Sequence, residues 1–184
     1  MAIRKASSYS HKICRPYTRK SRSKGKDYIK TVPQIKIAKF HIGNQQAFRD
    51  GKHPFNIRLI SEQRVQVRDN AIEAARMFLT KILDEKALGQ YYLAVKVYPH
   101  HMVRENKSAG GMAGADRISS GMTQSYGIVI GRSAIVRPDQ DIFFISCADE
   151  KCARDARDAL ITIKAKMPCR TRVIFEKVAL QISK

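Results

Sequence analysis

The chain has 184 residues and is 43% hydrophobic, enough to bury a core and too much for wholesale disorder. Thirty-five Lys and Arg against sixteen Asp and Glu leave a net charge of +19, which speaks of a polyanionic partner rather than of a fold. No run of about eighteen apolar residues occurs, which excludes a helical membrane span, and the basic start lacks the apolar stretch of a secretory signal, so a cytosolic location is expected.

Residues 1–30 stand apart. They hold ten Lys or Arg and a single acid, Asp27, for a local charge of +9. Such a segment cannot bury enough apolar surface to fold alone. Its cations suit phosphates, and Tyr9, Tyr17 and Tyr28 suit stacking on bases or ribose. The expectation is an arm that orders on RNA, with Arg4, Lys5, Lys12, Arg15, Tyr17, Arg19, Lys20, Arg22, Lys24 and Lys26 as its contacts. A solvated, disordered tail is the bland alternative.

From residue 31 onward a single α+β domain is expected. "QIKIAKF" alternates as a half-buried strand should, with Ile35 and Ile37 on one side. Residues 41–54 read as a connection, and "FNIRLISE" reads as a second strand with Phe55, Ile57 and Leu59 inward. Asp69 or Asn70 caps a helix to about residue 86. Its buried stripe is Ile72, Ala75, Leu79 and Ile82, with Glu73, Arg76, Lys81 and Glu85 outside it and Gly89 as the stop. "YYLAVKVYP" is the next strand, ended by Pro99.

Residues 100–126 then show no period, and structureless stretches beyond about 12–15 residues are uncommon in compact domains unless functional or disordered. The stretch mixes glycines with Arg104, Lys107 and Arg117. Fully extended, it has a contour of roughly 90 Å and doubled back would reach about 40 Å. Met102 and Met122, at its roots, are expected to pack in the core, and Met112, at its tip, to meet solvent or RNA. "YGIVIGRSAIV" and "QDIFFISC" follow as strands around a turn at Arg137, Pro138 and Asp139. A second helix from Asp149 to before Pro168 buries Ala153, Ala156, Leu160, Ile163 and Met167, and "TRVIFEKVAL" is a last strand. Two helices packed on one side of a mixed sheet is the economical architecture.

No enzyme motif emerges. Gly110, Gly111 and Gly114 lack the Lys-Ser or Lys-Thr of a phosphate loop and the strand-to-helix register of a dinucleotide fingerprint. Adjacent His100 and His101 point to opposite faces of a strand and do not readily grip one metal, so one should pack while the other reaches phosphate or solvent. The cysteines, Cys14, Cys147, Cys152 and Cys169, have neither disulfide-framework nor zinc spacing, and are read as reduced thiols. No cofactor and no metal are expected.

Several motifs nevertheless occur together in order: "VPQIKIAKFHIG" (32–43), "NAIEAAR" (70–76), "HMVRENK" (101–107), "AGADR" (113–117) and "GM" (121–122). With them the chain resembles, over essentially its whole length, the universal L-sixteen family of large-subunit ribosomal proteins, in its archaeal and eukaryotic L-ten-e form. Eukaryotic members look longer at the C-terminus, which favours an archaeal chain. The resemblance implies a hammerhead-type fold and a place on the large subunit beside rRNA, neighbouring ribosomal proteins and A-site tRNA. It implies a loop directed at the peptidyl-transferase centre and no membrane partner. The residues expected to face rRNA or tRNA are His101, Arg104, Asn106, Lys107, Gly114, Asp116, Arg117 and Gly121. A free RNA-binding protein or RNA chaperone is the competing expectation.

Overall fold

Alternating side chains decide the main sheet. In β2 (Phe55–Ser61), Phe55, Ile57 and Leu59 are buried, and Asn56 and Arg58 lie on the opposite face. The computed structural model describes Ser10, Ile29, residues 31–105 and residues 127–178. Every expected arm contact from Arg4 to Lys26 lies outside the described residues, as do Met112, Met122 and the loop residues Asn106, Lys107, Gly114, Asp116, Arg117 and Gly121.

The elements run β1 (His41–Gly43), α1 (Gln45–Arg49), β2, β3 (Val65–Arg68), α2 (Asp69–Ala87), β4 (Tyr91–Val95), β5 (His101–Glu105), β6 (Ile128–Val136), β7 (Asp141–Cys147), α3 (Glu150–Ile163) and β8 (Thr171–Lys177). A short 3₁₀ turn, Lys164–Lys166, follows α3. The α+β class holds, but the single mixed sheet is corrected to two antiparallel sheets, one ordered β1-β4-β7-β2-β8 and one β3-β6-β5. The reason is topological. The path through α2 joins β2 to β4 and α3 joins β7 to β8, and each of these parallel-running pairs has an antiparallel strand inserted between its members. Crossover helices therefore occur without any parallel neighbours in the ladders.

Both long helices lie on one face of the larger sheet, as expected. Tyr91, Leu93 and Val95 of β4 and Phe143, Ile145 and Cys147 of β7 share the core with Ile72, Ala75, Leu79 and Leu83 of α2. The α3 stripe, Ala153, Ala156, Leu160 and Ile163, joins the same cluster together with Met167. Val65 and Val67 of β3 and Ala134 and Val136 of β6 belong to it too, so one core spans both sheets. Each fully buried large apolar side chain contributes about 1.5–3 kcal/mol through burial.

Four local expectations change. Residues 34–40 form no strand. Ile37 is buried and Ile35 half-buried, so the alternation is real, but the backbone finds carboxylates instead of a ladder. Lys36 N–H donates to Asp69 Oδ2 and Ala38 N–H to Glu73 Oε2, each at 3.3 Å. These amides, two residues apart, meet acids one helical turn apart at the start of α2. Second, Arg68 takes the N-cap position because β3 runs directly into α2, leaving Asp69 in the first turn, where its charge suits the helix dipole.

Third, Arg76 is buried rather than outside the stripe. Its Nε and Nη2 donate to Glu73 at 2.7 and 2.5 Å, and this pairing holds the Glu73 carboxyl below the usual carboxylate range. Fourth, the connection 41–54 contains β1 and α1. Gly43 has φ +87°, and a Cβ there would lie 2.3 Å from the Tyr91 carbonyl oxygen, so only glycine fits. Asn44 then caps α1 by accepting from Ala47 N–H at 2.9 Å.

Leu79 of α2 is fully buried in the core cluster that draws on both sheets and α3. Leu79→Ala is expected to cost about 2–5 kcal/mol, read from urea unfolding of the full chain.

Candidate nucleic-acid interface

The unperiodic stretch starts later than its composition indicates. Its first residues, "HMVRE", form β5, which pairs with β6 in the register His101–Ser133, Met102–Arg132 and Val103–Gly131. The register then shifts to Arg104–Val129 and Glu105–Ile128, so Ile130 is an extra residue on β6. Such a bulge increases local twist and re-aims the strand ends. Gly127, at φ +87°, lies just before β6. Residues 106–126 are therefore rooted between the paired residues Glu105 and Ile128. A flat, apolar period of two would have revealed β5, but its last two residues are charged.

The two described members of the expected loop set divide. Arg104 is exposed at the root, where a cation can meet phosphate. His101 is buried in β5 at 7% exposure, so it packs in the body instead of facing outward from a loop. His100 is exposed, which is the opposite-face arrangement expected of adjacent strand residues. Met102 is buried, as expected for a root residue. Among the described residues no group of three or more His, Cys, Asp or Glu is placed to hold a metal ion.

Arg132, in the middle of β6, carried no expected role. Its Nε donates to the Pro33 carbonyl at 2.7 Å, tying the segment that follows residues 1–30 to the sheet that roots the loop. The lone cation inside the apolar run "GIVIGRSAIV" was the available signal. Beside it, Ser133 is fully buried and its Oγ lies 3.2 Å from Gln66 Oε1 on β3, a polar contact joining the small sheet internally.

Three cysteines, Cys147, Cys152 and Cys169, are free thiols. Cys147 ends β7 and Cys152 sits in the first turns of α3. The hydrogen bond between them pushes Cys147 up and Cys152 down, and both are buried.

Burial holds the imidazoles of His53 and His101 below their ordinary value of 6.5, with Arg104 adding to the effect at His101. The unfolded chain takes up these protons first as pH falls, so stability drops below about pH 6.5 and is fully present above it. Urea midpoints should decline as pH falls through about 6.5, and His101→Gln should flatten part of that decline.

The family profile described as "Ribosomal protein L16p/L10e" matches residues 14–174. The chain is 37% identical over 177 residues to the large ribosomal subunit protein uL16 of Staphylothermus marinus, covering 96% of this chain and 95% of the relative. It is 39% identical to the uL16 protein of Thermoplasma acidophilum, covering 96% and 94%. The uL16 protein of Methanococcus aeolicus is likewise 39% identical, covering 97% of each chain. With most of the chain matched by the profile and these relatives archaeal, the chain belongs to the ribosomal protein L16p/L10e family, in its archaeal type.

Proposed function

We propose that the chain is a structural constituent of the large ribosomal subunit, binding large-subunit rRNA near the A-site cleft and helping to position tRNA close to the peptidyl-transferase centre. The observation that carries this reading is the near-full-length likeness to relatives named as large ribosomal subunit proteins. The net charge of +19 supports it, since a chain so charged is stabilised by a surrounding polyanion.

In this reading residues 1–30 act as an rRNA-binding arm and residues 31–184 as the body. Each arm cation that meets a phosphate releases counterions, so affinity falls with salt by about 0.7–0.9 log units per charge per decade. Contacts of this kind read RNA shape and backbone more than base edges. The body supplies a rigid base. The β5–β6 pair fixes where the 106–126 loop leaves, and Arg104, Asn106, Lys107, Asp116 and Arg117 carry the contacts to rRNA and tRNA. Neighbouring large-subunit proteins complete the surroundings. The role is positional, and no chemical step is assigned to the protein.

The test replaces Arg104 and Arg117 together with Ala in cells whose ribosomes depend on this chain. Charge-assisted contacts are worth about 1.5–3 kcal/mol each, so losing both should lower A-site tRNA affinity roughly a hundredfold or more. The variant should still co-sediment with the large subunit through a high-salt wash. Wild-type elongation by such ribosomes would overturn the loop's assignment. Loss of the wild-type chain from the subunit in the same wash would overturn the ribosomal reading and favour a free RNA-binding protein.

A further inference from the structure

Beyond the end of β4, side chains continue to alternate. Val97 and Pro99 are buried, whereas Lys96, Tyr98 and His100 are exposed, Tyr98 at 43%. Phe40 stacks on Tyr98 at 5.4 Å between centroids and 19° between planes. The His100 ring lies 4.5 Å from Tyr98, closer than two residues of extended strand would put it. A tight turn, in which His100 N–H donates to the Tyr98 carbonyl at 3.0 Å, brings the rings together. Phe40, Tyr98 and His100 thus form a short column, its last ring tilted by 45°, with Tyr98 and His100 exposed.

Cations flank it. Lys39 is exposed next to Phe40, and Lys96 lies two residues before Tyr98 with Nζ 5.0 Å over the Phe144 ring. The column precedes β5, whose far end carries Arg104 and the loop root, about 14 Å along the strand. Clustered rings, two of them exposed, and flanking positive charge are the features of a single-stranded nucleic-acid site. Bases stack on aromatic faces while cations follow the backbone. A protein partner would gain more from an apolar patch without lysines, and the overall charge opposes most of them.

We propose that the Phe40–Tyr98–His100 column is a stacking site for an unpaired RNA base, with Lys39 and Lys96 meeting the adjoining phosphates. The site rests on the RNA-binding reading given above and adds a contact separate from the arm and the loop.

The probe is a single-stranded oligouridine carrying 5-iodouridine, photocrosslinked to the full chain, with adducts mapped by mass spectrometry. Adducts are expected on Tyr98 or His100. The Tyr98→Ala/His100→Ala variant should lose them and bind the oligonucleotide at least about fivefold more weakly, with its salt dependence unchanged. Tyr98→Phe should retain affinity. Adducts confined to tyrosines of the 1–30 segment, with the double variant binding as wild type, would overturn the site and leave RNA binding intact. Failure of the wild-type chain to bind at low salt would overturn both.

Discussion

The pairing of β5 with β6 is the constraint on which the rest depends. A 106–126 segment carrying cations and glycines has no apolar period with which to fix its own position. Its ends are fixed for it, by a ladder that closes at Glu105 and Ile128. That ladder would be weak as a lone hairpin, because two strands in water are marginal. Adding β3 makes a third strand, and Val65, Val67, Ala134 and Val136 tie the small sheet into the core beneath α2. The rigidity of the root is thus borrowed from helices and strands far from it in sequence.

Several of the acidic residues, scarce in this chain, order the body. Asp69 and Glu73 accept backbone N–H groups of the 35–39 segment, and Glu73 also holds buried Arg76. Tyr91 donates to Asp84, and Lys86 donates to Asp155 at 2.7 Å across the two helices. Sixteen acids against thirty-five Lys and Arg still leave a net charge of +19, and so a positive field available to a polyanion.

Much of this was legible in the sequence. The apolar stripes of α2 and α3 and the alternation in β2 are long enough to express a period, and the helices and the strand form where they read, with Leu83 and Arg76 buried in α2 beyond the expected stripe. The elements that escaped are short: β1 has three residues, β3 four and α1 five, each too little for a repeat to declare itself. The 34–40 segment misled for another reason. Its side chains alternate like a strand's, but whether a backbone amide meets a carbonyl or a carboxylate is settled by distant residues such as Asp69 and Glu73. His101 is similar. Its neighbours "RENK" look like a loop, and only pairing with β6 turns it inward. The arm and most loop residues were named from charge and family likeness, signals that speak of partners and carry no coordinates.

The bond from Arg132 to the Pro33 carbonyl has a consequence beyond packing. It fixes residue 33 beside β6, the strand that follows residues 106–126 in the chain. In the proposed reading, the two cationic segments 1–30 and 106–126 act toward a polyanion as a bidentate reagent. Once either has engaged, the other searches a volume of molecular rather than solution dimensions, and its effective concentration rises accordingly. Affinity for RNA then approaches the product of the two separate affinities and that effective concentration.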